Sequence, residues 1–184
     1  REAGIRRIAL SLDAPRPEIH DNFRQVPGSW QRTMDILHRA QAIGVSVQVN
    51  TTVAKHNVDI LDEMIPFLQE VGAVQWSLFF LVPTGRAQAS NMISPEEHER
   101  VFNWLYDLSK NAPFDIKSTA APMYRRVAIE RKRAEQGGDK PVTFQGAGFQ
   151  YADGLNRPTR GVNDGNGFLF ISHIGEIQPS GFLP

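Results

Sequence analysis

The segment from Val45 to Val53 alternates strictly, with Val45, Val47, Val49 and Thr51 on one side and Ser46, Gln48, Asn50 and Thr52 on the other. That period belongs to a β-strand with one dry face and one face able to hydrogen-bond. Similar pairs sit two residues apart elsewhere: Ser11 and Asp13, Gln75 and Ser77, Asp115 and Lys117. Left without partners in an interior, such groups cost about 1–3 kcal/mol each. A cavity lined by them and filled by a polar ligand accounts for the pattern; layers that satisfy one another and water are the plainer alternative. Asp13, Asn50 and Pro83 fall at or near the C-terminal ends of their strands, the face on which β/α barrels carry active sites.

His20-Asp21 raises a metal-binding reading, but adjacent residues do not easily reach one metal, and His38, His56, His98 and His173 supply no second ligand pair at regular spacing. Both residues are therefore read as structural. The basic positions Arg125, Arg126, Arg131, Lys132 and Arg133 are interleaved with Glu130 and Glu135 and lack aromatic platforms after Tyr124. They read as a solvated helix and not as a nucleic-acid surface.

The elements that must position these groups follow a β/α rhythm. Strands are expected near Ile8 to Asp13, Val45 to Val53, Val74 to Pro83 and Phe114 to Thr119, with an amphipathic helix in each gap. The first helix has Ser29 as N-cap, then Trp30, Met34, Leu37, Ala40 and Ile43 on one face, and stops at Gly44. The second runs from Asn57 to Gly72 with a kink at Pro66. The third opens with Ser94-Pro95-Glu96-Glu97, which supplies N-cap, N1 proline and capping-box glutamate. Beyond Thr119 a charged helix over Tyr124 to Glu135 is expected, then loops at Gly137-Gly138-Asp139 and Gly161 to Gly167, then a β-hairpin turning at Ile174-Gly175.

Twenty basic and twenty acidic residues cancel, so no global field favours nucleic acid or an anionic membrane. No apolar run reaches the roughly 18 residues of a membrane span, and no secretory signal pattern is present, so a soluble, cytoplasmic chain is expected. With 184 residues and 41% hydrophobic content a substantial core is expected. The absence of cysteine excludes disulfides and thiolate metal ligation within these residues. The chain starts at Arg1 and stops at Pro184, just after Ile177-Gln178-Pro179-Ser180-Gly181-Phe182-Leu183, and both ends read as cut from something longer.

In order along the chain stand Ile8-Ala9-Leu10-Ser11-Leu12-Asp13, His20-Asp21-Asn22-Phe23-Arg24, Gly28-Ser29-Trp30 and Val49-Asn50-Thr51-Thr52-Val53. This succession resembles the radical S-adenosylmethionine (SAM) superfamily, in which a Ser-Leu-Asp strand end, a His-Asp-x-x-Arg segment, a Gly-Ser-aromatic helix start and an Asn-Thr-x-Val strand follow one another. Phe80-Leu81-Val82-Pro83-Thr84-Gly85-Arg86 fits the family's next strand and loop, and Gly175-Glu176-Ile177-Gln178-Pro179-Ser180-Gly181 looks like the start of a SPASM or twitch extension. Each element is weak alone; their order makes the resemblance fairly specific.

The resemblance implies an α/β fold, the later part of a partial (β/α) TIM-like barrel with parallel strands, followed by a loop-rich segment and the β-hairpin of a C-terminal extension. Residues 1–120 would be the partial barrel, 121–166 a helix and loop-rich linker, and 167–184 the start of the extension. It also implies S-adenosyl-L-methionine and a [4Fe-4S] cluster whose CxxxCxxC ligands lie upstream of Arg1. The implied activity is reductive SAM cleavage to a 5′-deoxyadenosyl radical and hydrogen abstraction from a peptide or tetrapyrrole-type substrate. An electron donor such as flavodoxin or ferredoxin is implied as a partner.

Carried over by position, the resemblance has Ser11 contacting the cofactor's ribose or amino acid moiety and Asp13 at the mouth, facing cofactor or substrate. Arg24 or Arg32 would fork onto the methionyl carboxylate with two charge-assisted bonds. Spacing from Ser11 favours Arg32, and the His-Asp-x-x-Arg pattern favours Arg24. Asn50 would face the ribose or substrate cavity, and Leu81 would meet adenine through its backbone and side chain. Gly85-Arg86 would close over the cofactor or form a plain turn. Two other functions compete: a cluster-free barrel lyase or aldolase using Lys55, Lys117 or Asp13, and a binding module that kept the barrel and lost catalysis.

Overall fold

The computed structural model describes residues 4–85, 87–119, 121, 123–137 and 169–179. Expected features at Arg86, at Gly138-Asp139, between Gly161 and Gly167 and at Gly181 lie outside the described residues.

Four strands, β1 (Arg7–Ser11), β2 (Ser46–Val53), β3 (Gln75–Phe80) and β4 (Asp115–Thr119), form one sheet in the order β1-β2-β3-β4. All three pairings are parallel. Sequential order means that each crossover advances the sheet in one direction, and because such crossovers share one hand, their helices fall on one face. This is the winding of a barrel wall and differs from an open sheet covered on both faces.

Burial follows that geometry. Val47, Val49, Thr51 and Val53 of β2 are buried, while Ser46, Gln48, Asn50 and Thr52 between them are half-buried. The dry face continues through Trp76, Leu78 and Phe80 of β3 and Ile116 of β4. It packs against Met34, Leu37 and Ala40 of α2 (Ser29–Ala42), Met64 and Leu68 of α3 (Met64–Glu70), and Val101, Phe102 and Leu105 of α4 (Pro95–Leu108). Trp76 stands edge-on to Trp104 and Phe114 with centroids 6.0 and 6.3 Å away. Thr51 is tolerated in this core because its hydroxyl donates to the Leu12 carbonyl at 2.7 Å and accepts from Trp76 Nε1 at 2.8 Å.

Three helical expectations need correction. A short helix, α1 (Pro17–Arg24), precedes the first expected one, with Pro17 at its start, Glu18 in its first turn and Arg24 in its last. The N-cap of α2 is Gly28 at φ 75°, not Ser29, whose hydroxyl donates to Asp21 instead of capping. The second helix is not one kinked rod. Val58–Glu63 is a 3₁₀ segment broken at Ile60, and α3 starts afresh at Met64, with Pro66 in its first turn, where a missing amide proton costs nothing.

The Ser94 capping box is present in full: Ser94 Oγ accepts from the Glu97 amide at 3.1 Å, and Glu97 Oε2 accepts from the Ser94 amide at 2.6 Å. The charged helix α5 (Met123–Gln136) docks on α4 through Tyr124, Val127 and Ala128, and is pinned by Arg126 to Glu99, Arg131 to Asn103 and Asp107, and Tyr106 to Glu135. Strands β5 (Phe170–Ile171) and β6 (Ile177–Gln178) pair antiparallel around a turn in which Gly175 takes φ 86°.

Candidate functional site

The wet face of the sheet is organised by register. Ser11 pairs with Asn50, Asn50 with Ser77, and Ser77 with Lys117, so four polar residues from four strands stand in one row. The row toward the strand starts holds Ala9, Gln48, Gln75 and Asp115, and the row toward the strand ends holds Thr52, Phe79 and Thr119. Ser11 and Lys117 are exposed at the two flanks, Asn50 is half-buried and Ser77 is buried. Gln48 Nε2 donates to Asn50 Oδ1 at 2.7 Å, Arg7 Nη1 donates to Gln75 Oε1 at 2.6 Å, and the hydroxyls of Ser77 and Thr119 lie 3.3 Å apart. Gln75 Nε2 is buried with no hydrogen-bond partner among the described residues. The face is thus only partly satisfied, which suits a surface completed by a ligand.

Beyond the end of β1 a buried polar knot ties the strand ends together. Asp13 is fully buried. Its Oδ1 accepts from the Thr52 amide at 2.8 Å and its Oδ2 from Arg24 Nε at 2.6 Å. Its own amide donates to His20 Nδ1 at 3.0 Å. That nitrogen also lies 3.3 Å from Oδ2, but a lone pair already receiving an N–H leaves no proton for the carboxylate, so the ring proton sits on Nε2. Burial pushes the Asp13 carboxyl up, while contact with His20, the charge and hydrogen bond of Arg24 and the Thr52 amide pull it down, and the net result lies below its ordinary value. With Nδ1 unprotonated, Arg24 and Thr52 carry that lowering.

Asn57, also buried, completes the knot. Its Nδ2 donates to the carbonyls of Asp13 and Thr52 at 2.8 and 2.9 Å, and its Oδ1 accepts from the Ala54 amide at 3.0 Å. His56 beside it stacks on Phe23 with centroids 3.8 Å apart, and its Nε2 is buried without a partner among the described residues. Burial, outweighing the nearby Asp13 charge and helped by the Arg24 charge, lowers its pKa to about 4.

The structure therefore separates the expected site residues. Ser11 and Asn50 come together on the wet face. Asp13 is held in the knot with both oxygens taken, and Arg24, one-third exposed, is its partner. Arg32 is exposed in the first turn of α2 and forms no ion pair among the described residues. Leu81 follows β3 with its amide bonded to the Val53 carbonyl at 3.2 Å, leaving its carbonyl and side chain for other contacts. Thr52, His56 and Asn57 were missed as a cluster because their partners lie on other elements. The placement of Asn57 four positions past the end of β2 was the available signal.

Among the described residues no group of three or more His, Asp or Glu is placed to hold a metal ion, and no helix is long and apolar enough to cross a membrane. No family model matches the chain. The chain is 41% identical, over its whole length and 45% of the relative's, to the AdoMet-dependent heme synthase of Oleidesulfovibrio alaskensis. It is 36% identical, again over its whole length and 50% of the relative's, to the AdoMet-dependent heme synthase of Methanosarcina barkeri. It spans about half the length of the curated relatives it matches. Streptococcus suis SuiB bound to the precursor peptide SuiA superposes with a TM-score of 0.50 at 14% identity, over 68% of this chain and 28% of that one, a likeness of fold.

Proposed function

The chain belongs to the radical SAM superfamily, and from that premise we propose that it is the cofactor-positioning wall of an enzyme acting on a tetrapyrrole of the haem-precursor type. The observation that carries this reading is the full-length similarity to AdoMet-dependent heme synthases. The partly satisfied polar face, on which Gln75 Nε2 has no partner among the described residues, supports a ligand on this side of the sheet. In the same reading residues 1–120 form the partial barrel, 121–166 a linker and 167–184 the start of a SPASM or twitch-type extension, and flavodoxin or ferredoxin donates the electron.

Bound S-adenosylmethionine together with a reduced iron–sulfur cluster supplies hydrogen-atom abstraction from substrate. The residues present suit the first of these groups. Ser11 and Asn50 offer a hydroxyl and an amide side by side for ribose or amino acid atoms. Leu81 offers a carbonyl and an apolar side chain to adenine. Arg32 takes the methionyl carboxylate, since Arg24 is committed to Asp13 and a guanidinium already held by one carboxylate has less to give a second. A cysteine-free chain supplies no thiolate to a cluster, so no step is assigned to these residues there.

The test is anaerobic turnover of the full-length parent with S-adenosylmethionine and a reductant, offering either a carboxylate-bearing iron tetrapyrrole or a precursor peptide. Substrate-dependent consumption of the tetrapyrrole alone is expected. Modification of the peptide alone would overturn the substrate assignment.

A further inference from the structure

We propose that Asp21 is a positioning residue for Arg32: by fastening the start of α2 to α1, it fixes the guanidinium that takes the cofactor's carboxylate. This rests on the Arg32 assignment above. Both carboxylate oxygens of Asp21 accept from the start of α2. Its Oδ2 accepts from the Gly28 amide at 2.6 Å, and its Oδ1 from the Ser29 hydroxyl and the Trp30 amide, both at 2.8 Å. Gly28, the N-cap, carries no side chain of its own, so Asp21 stands in for the missing cap from another helix.

Arg32 is the residue whose amide closes that turn, donating to the Gly28 carbonyl at 3.2 Å. Without Asp21 the orphan amides at the start of α2 lose their acceptor and the turn frays. Arg32 is then the first charged side chain to lose its place. The helix packs on the dry face and runs back from the strand ends, so its start lies at the C-terminal end of the sheet, the end at which β1 finishes with Ser11.

The same short helix holds the other end of the device. His20, the neighbour of Asp21, accepts from the Asp13 amide, and Arg24, one turn on, pairs with the Asp13 carboxylate. One face of α1 thus grips the end of β1 just past Ser11, and the other grips the start of α2. The span from Ser11 to Arg32 is set by α1, and Asp21 is its link on the Arg32 side.

The test uses the full-length parent and two probes: S-adenosylhomocysteine, which has the carboxylate, and 5′-methylthioadenosine, which lacks it. Asp21→Ala is expected to weaken S-adenosylhomocysteine about tenfold while leaving methylthioadenosine within about twofold. In an Arg32→Ala background Asp21→Ala should have no further effect. Asp21→Asn, which keeps one acceptor oxygen and folds more readily, should fall between wild type and Asp21→Ala. Equal weakening of both probes, no weakening, or additivity with Arg32→Ala would overturn the proposal. If Arg32→Ala itself leaves S-adenosylhomocysteine unchanged, the Arg32 assignment fails and takes this inference with it.

Discussion

Arg24 Nε lies 2.6 Å from Asp13 Oδ2, joining a one-third-exposed guanidinium on α1 to a fully buried carboxylate past the end of β1. The pair works less as a stabiliser than as a lock, because Oδ1 of the same carboxylate holds the Thr52 amide of β2. Removing one partner of a buried pair strands the other charge. Arg24→Ala should therefore cost about 3 kcal/mol in urea unfolding of the parent, and adding Asp13→Asn should recover part of it. A loss below about 0.5 kcal/mol would mark the contact as an ordinary surface pair.

Asn57 makes three hydrogen bonds, two buried and one part-buried, to the main chain of the β1 and β2 ends. Asn57→Ala should lower stability by about 2–4 kcal/mol, since it leaves an amide and two carbonyls unsatisfied. The midpoint of chemical denaturation checks this. A near-neutral result would contradict the picture of a knot.

His56 gives the acid limb of the stability curve its shape. The unfolded imidazole takes its proton near 6.5 and the folded one near 4. Stability from keeping this ring neutral is complete above pH 6.5 and drains away as pH falls toward 4, by about 1–2 kcal/mol after allowance for solvent screening. Asp13 adds a second loss at lower pH, because its folded value lies below 3.8 and its stabilisation drains as pH drops beneath that. Thermal melts of the parent across pH 7.5 to 4 should show the first slope, and His56→Phe should flatten it. The same slope in both proteins would rule out His56 as its source.

Ser94→Ala should cost about 1 kcal/mol through loss of the capping box, with no change in affinity for S-adenosylhomocysteine, because α4 carries none of the proposed cofactor residues. A change in affinity would point to a longer reach of that helix.

Local signals carried much of this structure. The valine alternation of β2 and the Ser94 box depend on residues within a few positions of one another, and both appear as expected. What escaped was built from distant partners. The cap of α2 comes from Asp21, seven to nine residues before the groups it holds, so Ser29 looked like the cap. The one buried side chain of α1 is a histidine, so no buried apolar residue marked its eight positions. Asp13 read as a mouth residue because its partners, Arg24 and Thr52, lie 11 and 39 positions away.

The most direct test is formation of 5′-deoxyadenosine from S-adenosylmethionine by the reduced, anaerobic full-length parent, compared with Arg32→Ala at low S-adenosylmethionine concentration. The expected result is 5′-deoxyadenosine from the wild type and a rate lower by about tenfold or more in the variant, as follows from losing a bidentate carboxylate contact. A wild-type parent that forms none, or a variant equal to it, would contradict the assignment of this wall to cofactor binding.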